Sequence, residues 1–98
     1  MKRITYLSVA ETELTDAAKY YDEQQPGLGR EFLDAIKSAQ EFIQRNPELP
    51  SIYKELVRSR RVKPFSYKLL YRELSDRIQI VAVMHCSRRP DYWQNRIS

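Results

Sequence analysis

The sequence predicts an α+β domain of order β-α-α-β-β-β, with a helical hairpin packed on one face of a mostly antiparallel four-stranded sheet and a short C-terminal tail. Three observations predict it. Two successive helical stripes lie between Val9 and Asn46, a Pro-Gly turn separates them, and strand-like apolar segments follow from Val57 to His85. With 98 residues, 42% hydrophobic and 31% charged, the chain is too short for two cores and too apolar for disorder, so residues 1–98 form one domain.

Ile4-Thr5-Tyr6-Leu7 is rich in β-branched and aromatic residues and reads as a short first strand. Ser8-Val9-Ala10-Glu11 has the spacing of a capping box, which starts the first helix at Val9. Ala10, Leu14, Ala17 and Tyr21 then form a narrow apolar stripe, with Glu13, Asp16, Lys19 and Asp22 expected to face outward. Pro26-Gly27-Leu28-Gly29 ends this helix, and Phe32, Ile36, Ala39 and Ile43 mark a second one that stops at Asn46-Pro47. Helices joined by so short a turn are antiparallel, and their joint apolar face needs a sheet to cover.

Residues 48–55 read as a proline-containing loop. Val57 to Val62 is extended but basic, which suits an edge or exposed strand. Pro64-Phe65-Ser66 makes a turn, and Tyr67 to Leu74 and Ile78 to His85 form a hairpin around Ser75-Asp76. Strict alternation places Ile78, Ile80, Ala82 and Met84 on one face of the last strand and Val81 and Val83 on the other. Apolar residues on both faces mark it as central, with the first strand beside it. The tail from Cys86 to Ser98 is polar apart from Tyr92, Trp93 and Ile97. The sheet face away from the helices, with the basic strand and the tail, is expected to stay open for function.

Cys86 is the only cysteine, so no internal disulfide forms and a reducing compartment is expected. No stretch has the length of a signal peptide's apolar region or of a membrane span, so the expectation is a soluble cytoplasmic protein without membrane contact. The net charge of +4 conceals an asymmetry: residues 1–50 carry 6 Lys/Arg against 9 Asp/Glu, and residues 51–98 carry 11 against 4. A basic half joined to an acidic one points to a surface for phosphate or for an acidic peptide.

Three segments carry a family resemblance. Tyr20-Tyr21, followed by Pro26-Gly27-Leu28-Gly29 and Phe32-Leu33, resembles the helical hairpin of the RelE/ParE toxin superfamily, and of its ParE-like branch in particular. Pro64-Phe65-Ser66-Tyr67-Lys68-Leu69-Leu70-Tyr71 is similar to that family's third-strand signature. Ala82-Val83-Met84-His85, Arg88, Pro90, Tyr92-Trp93 and Arg96 resemble its closing motif. Ser66 stands where the family often has proline, and Arg89 where it often has an acidic residue; the first loosens a turn and the second makes the tail more basic. The resemblance implies the toxin of a type II toxin–antitoxin (plasmid stabilisation) module, held inactive by a cognate antitoxin. It implies growth inhibition through DNA gyrase in the ParE manner or through ribosome-dependent mRNA cleavage in the RelE manner. A degenerate member would bind its antitoxin and harm nothing. A homodimer and a toxin–antitoxin hetero-oligomer are both compatible with it.

RNA cleavage by 2′-hydroxyl attack needs a base, cations for the phosphorane and an acid for the leaving oxygen. The catalytic candidates are Arg61, His85, Arg88 and Tyr92, the last three lying in one short segment after the central strand. The candidates for contact with nucleic acid or another target are Arg58, Arg60, Arg61, Lys63, Arg88 and Arg89. Each also has a plainer explanation: a hydrogen-bonded His85 at a strand end, Tyr92 and Trp93 as plugs pinning the tail, Arg60 and Arg61 guarding a strand edge, and Arg88 paired with Asp91. Cys86 is expected to be an inert, half-buried thiol. No metal set, P-loop, dinucleotide fingerprint or Ser-His-Asp pattern is present, so no cofactor is expected. The sparse acid–base set favours a binding protein over a nuclease.

Overall fold

The computed structural model describes residues 1–97; Ser98, the end of the tail, lies outside the described residues. The elements in order are β1 (Arg3–Tyr6), α1 (Ser8–Gln24), α2 (Leu28–Arg45), β2 (Ile52–Lys54), β3 (Val57–Arg61), β4 (Tyr67–Glu73), β5 (Arg77–His85) and a 3₁₀ turn, Gln94–Arg96. The sheet order is β1-β5-β4-β3-β2, with β1 parallel to β5 and every other pair antiparallel. The α+β class, the helical hairpin and the seat of the first strand beside the last all match the sequence expectation.

The strand count does not: there are five strands, because part of the expected 48–55 loop forms β2. The Ser59 amide donates to the Ser51 carbonyl at 3.1 Å, and Arg58 Nη1 donates to the Pro50 carbonyl at 2.7 Å. These bonds draw the loop alongside β3. A three-residue strand is too short to show a period, so nothing in its sequence announces it. β2 covers only the first half of β3.

The junction of β1 and α1 also differs. The capping box does not form; α1 begins at Ser8, and no side chain caps it. Leu7 stays extended and serves both elements: its amide donates to the Ile80 carbonyl (3.0 Å), while its own carbonyl accepts the Glu11 amide (2.9 Å). With Leu7 still held in the sheet, strand passes into helix with no intervening loop.

Both helical stripes face the sheet as their spacing requires. Ala10, Ala17, Phe32, Ile36, Ala39 and Ile43 are buried, with Leu14 and Tyr21 partly buried against the same core. Tyr21, Phe32, Phe65 and Tyr67 interlock at centroid separations between 4.8 and 6.1 Å, the range of favourable aromatic pairs, all edge-on but the tilted Tyr21–Phe32 pair. At the hairpin turn Gly27 has φ +90°, and Asp22 Oδ1 accepts the Gly27 and Gly29 amides at 3.0 and 3.2 Å. That carboxylate satisfies orphan donors at the start of α2 and opposes its dipole. Gly29 is buried where the helices meet, and a Cβ there would lie 2.5 Å from the Ala18 carbonyl oxygen.

β5 carries the main departure within the sheet. Leu70 pairs with Ala82 and Tyr71 with Ile80, so Val81 is an extra residue, a β-bulge. The bulge shifts the alternation by one. Ile78, Ile80 and Val83 face the helices, whereas Val81, Ala82 and Met84 face the other side. The expected grouping of Ile78 and Ile80 with Ala82 and Met84 is therefore corrected. In an unbroken apolar run no polar residue marks where the phase slips.

The second face is not open. Val57, Leu70, Val81, Ala82 and Met84 pack under the fully buried Trp93, with Tyr53, Tyr92 and Ile97 at the margin. Trp93 Nε1 donates to the Pro90 carbonyl at 2.7 Å, so the ring is buried with its polar atom satisfied. The β3 arginines are not gathered on that face either. Arg58 and Arg60 stand opposite Tyr71 and Leu69 on the helix side, and Arg61 stands opposite Lys68 on the tail side. Cys86 is exposed rather than half-buried.

The close helix crossing yields a test. Gly29→Ala should lower unfolding stability by about 1–3 kcal/mol, since the backbone of α1 must move to admit the methyl group. In urea titrations the midpoint should fall with an unchanged slope. Gly27→Ala meets no neighbour within 4 Å, so its smaller loss, about 1–2 kcal/mol, would come from the left-handed φ alone.

Candidate functional site

The sheet runs short on one side. β1 leaves the ladder after Leu7, and the next groups along that edge of β5 need other partners. Two side chains supply them. Arg96 Nη1 donates to the Val81 carbonyl (3.0 Å), and Glu13 Oε1 accepts the Val83 amide (3.1 Å). The two are also paired with each other: Arg96 Nη1 to Glu13 Oε1 at 2.8 Å and Nη2 to Oε2 at 2.9 Å, a bidentate fork. The Tyr92 hydroxyl donates to Glu13 Oε2 at 2.7 Å.

Glu13 was expected to face outward; its side chain is instead only 18% exposed. Burial alone would raise its pKa, but the bonds from Arg96, Tyr92 and the Val83 amide outweigh it and hold the carboxyl below its ordinary 4.5. The hydrogen bond to Glu13, against opposing desolvation, raises the Arg96 guanidinium's pKa further. Burial, then the Glu13 hydrogen bond, pushes the Tyr92 phenol well above its ordinary 10.0. The signal was in the spacing: Glu13 lies three residues after Ala10 and four before Ala17, and so belongs to the same helical face.

Above this node opens a cleft of about 640 Å³ lined by α1, β5 and the start of the tail. It brings together three of the four catalytic candidates, His85, Arg88 and Tyr92, with Tyr20, Tyr21 and Tyr67 along its wall. His85 Nδ1 accepts the Ser87 amide at 3.0 Å and lies 2.7 Å from Ser87 Oγ, which leaves Nε2 as the ring nitrogen available to a ligand. Its ring meets Tyr67 edge-on at 5.1 Å. The Arg88 guanidinium lies 4.0 Å from the Tyr92 ring centroid. Asp91 pairs with Arg89 (3.5 Å), not with Arg88, and Arg88 has no carboxylate partner among the described residues.

Arg61 does not join this cleft. Arg61 lies opposite Lys68, which lies opposite Met84, so it is two strand spacings, roughly 10 Å, from β5. It also sits on the tail side, whereas Tyr67, the partner of His85, packs with the helix-side core. A second groove, of about 570 Å³, runs between α2 and the open half of β3 and holds Arg60, Arg61, Lys63 and Lys68. The Arg60 guanidinium lies 3.6 Å from the Phe42 ring centroid. Arg58 is committed to the Pro50 carbonyl and serves the fold. Among the described residues no group of three or more His, Cys, Asp or Glu is placed to hold a metal ion. No helix there is long and apolar enough to cross a membrane.

Fold and site together define a small α+β protein, two helices over a five-stranded sheet, with polar clefts at one end. A family model described as the ParE toxin of the type II toxin–antitoxin system, parDE, matches residues 4–90, and the chain belongs to that family. Among solved structures, the chromosomal ParDE toxin–antitoxin system from P. aeruginosa is similar in fold, with a TM-score of 0.65 at 15% identity over 87% of this chain and 96% of that one. No curated protein matches. The family resemblance read from the hairpin and third-strand motifs, and from the closing motif as far as Pro90, thus agrees with the family match over residues 4–90.

The Glu13 node sets a pH-dependent expectation. Its carboxyl has a lowered pKa in the fold, so its contribution is fully present above the unfolded value of about 4.5 and is lost as pH falls through the folded value. Glu13→Gln should cost about 1–3 kcal/mol near pH 7, where it leaves Arg96 without its counter-charge. The difference between variant and parent should shrink towards pH 3. Urea titrations across that range check it; a gap that stays constant would show that the charge is not the source.

Proposed function

We propose that this chain is a toxin that acts by binding, with DNA gyrase as its target and a cognate antitoxin as the partner that holds it inactive in a hetero-oligomer in the cytoplasm. The observation that carries this reading is the commitment of the proton-bearing groups. Tyr92 donates its hydroxyl to Glu13, and Glu13 is engaged by Arg96 and the Val83 amide. His85 Nδ1 is taken by Ser87, which leaves Nε2 as the ring's one free nitrogen, and neither Glu13 nor Tyr92 is free to act with it. An acid–base pair poised across a scissile phosphate needs free groups with pKa values near the working pH. A phenol raised by burial and by a carboxylate partner is the opposite. Family membership supports the same reading. Target contact falls to Arg88 and the exposed Tyr20, which line the cleft, and to the exposed Arg89 next in sequence to Arg88.

A second reading, ribosome-dependent mRNA cleavage, has one observation in its favour: His85 and Arg88 line a common cleft walled by aromatic rings on which a base could stack. The two readings separate cleanly in purified systems. Gyrase with relaxed plasmid should lose supercoiling or accumulate cleaved DNA when the toxin is added. Arg88→Ala should raise the toxin concentration for half-inhibition roughly tenfold. Arg30→Ala, in the exposed pair with Asp34 on α2, should leave it unchanged. Full supercoiling at large toxin excess would overturn the gyrase reading. Codon-positioned mRNA cuts in translating extracts, abolished by Arg88→Ala with the fold intact, would establish the nuclease instead. Induced expression with no growth defect would leave a member that only binds its antitoxin.

A further inference from the structure

The turn that follows β5 holds a hydroxyl that the target reading leaves unused. Every side chain from Cys86 to Asp91 is exposed. The Cys86 amide donates to the Ser66 carbonyl and the Arg88 amide to the His85 carbonyl, both at 2.9 Å, which fixes the turn while Ser87 stays open to solvent. Ser87 meets the His85 ring twice. Its amide lies 3.0 Å from Nδ1 and can only donate, so Nδ1 accepts and the neutral ring carries its proton on Nε2. The Ser87 hydroxyl, 2.7 Å from the same nitrogen, is therefore a donor too. A hydroxyl donating to an imidazole nitrogen at that distance is the arrangement that activates an attacking oxygen. Other hydroxyls are spent differently: Thr12 and Thr15 donate to the helix carbonyls of Ser8 and Glu11.

The groups around that oxygen suit an added anion. Ser87 and Arg88 line the same cleft, and Arg88 has no carboxylate partner among the described residues. Its guanidinium is held 4.0 Å from the Tyr92 ring centroid, and Tyr92 is itself tied to Glu13, so a fork of free donors is kept in place. Asp91 is paired with Arg89 and does not compete. We propose that Ser87 is a phosphorylation site, and that a phosphate there shuts the target-contact cleft by engaging Arg88 and His85. The phosphoryl donor is a nucleoside triphosphate presented by a separate kinase. Ser87 Oγ bonds to the terminal phosphorus as the bond from that phosphorus to the bridging oxygen breaks. The nucleoside diphosphate leaves with that oxygen, and the hydroxyl proton passes to His85 Nδ1. The imidazolium so formed can no longer accept the Ser87 amide, so it donates to the new phosphate instead. A phosphoserine brings about −1.5 to −2 charge and three acceptor oxygens, enough for the imidazolium and the Arg88 fork together. The inference rests on the reading that Arg88 contacts the target, and adds a covalent control of that contact.

Cys86 gives access to the modified full chain. Residues 1–85, as a thioester, are ligated to a synthetic 86–98 peptide with Ser87 phosphorylated, and the same product without phosphate is the reference. Both should refold to the same far-UV dichroism. The phosphorylated chain should need at least roughly tenfold more protein for half-inhibition of gyrase supercoiling. Nitrogen-15 spectra should show the His85 ring passing from its Nε2-protonated form to the imidazolium, and the Arg88 Nε signal moving. In phosphorus-31 titrations the phosphate midpoint should rise on Arg88→Ala, which removes a cation that favours the dianion. Mass spectrometry of the chain recovered from the cells that encode it should find one added phosphoryl group on Ser87. Three results would each overturn the proposal: Ser87 unmodified in those cells in every growth phase, His85 and Arg88 signals unmoved by the phosphate, or equal inhibition by the two ligated chains. If neither ligated chain inhibits gyrase while the spectra and titration behave as stated, the target reading falls and the phosphate seat stands.

Discussion

The structure depends on a missing length of strand. β1 contributes only four residues, Arg3–Tyr6, and turns into α1 through Leu7, yet β5 continues to His85. An edge left bare inside a fold would strand polar groups at a cost of about 1–3 kcal/mol each. Glu13 from α1 and Arg96 from the tail fill that place, one accepting as a carbonyl would and the other donating as an amide would. Because they are oppositely charged and bidentate, each neutralises the charge that the other brings into a half-buried site. Three remote parts of the chain, residues 13, 81–83 and 92–96, are thereby tied at one point.

The bulge at Val81 makes this arrangement consistent. Without it, Val83 would direct its amide towards β4 and its side chain away from the helices. With it, Val83 joins the helix-side core and presents its amide to Glu13, while Ala82 and Met84 turn to the other face and meet Trp93. One inserted residue therefore builds two cores from a single strand. The tail closes the second core much as α1 and α2 close the first, and Tyr92 joins the two: its ring lies beside Arg88 and Arg96, and its hydroxyl reaches Glu13. A tail held at Trp93 and at Arg96 sets Arg88 and His85 at the mouth of the cleft.

What the sequence disclosed, and what it withheld, follows from the same physics. The helical stripes, the Pro-Gly turn and the β4–β5 hairpin were legible because each rests on local periodicity. The seat of β1 was legible because β5, apolar on both faces, needed a neighbour on each side. β2 was not, since Ile52, Tyr53 and Lys54 become a strand only through the bonds from Arg58 and Ser59. The bulge was hidden in Ile80-Val81-Ala82-Val83-Met84, where every residue is apolar and either phase is acceptable. Glu13 was misplaced because its charge was weighed above its position, although Ala10, Glu13 and Ala17 share one helical face. Three candidate site residues, His85, Arg88 and Tyr92, do meet, since a short segment cannot scatter far. Arg61 could not be placed from sequence, because the face it takes is set by its pairing with Lys68 and Met84.

The charge asymmetry acquires a spatial meaning once the layers are known. Most carboxylates of the first half sit on the outer surfaces of α1 and α2, where solvent screens them. The cations of the second half cannot enter either core, because both faces of the sheet are covered, one by helices and the other by the tail. Several lie at the ends of strands and in the turns: Arg61 at the end of β3, Lys63 just beyond it, and Arg88 and Arg89 beyond β5. Those positions adjoin the two grooves. A sheet with both faces filled thus leaves much of its positive charge where backbone and clefts are still accessible. Those cations stand at the sheet's margins because both of its faces are covered.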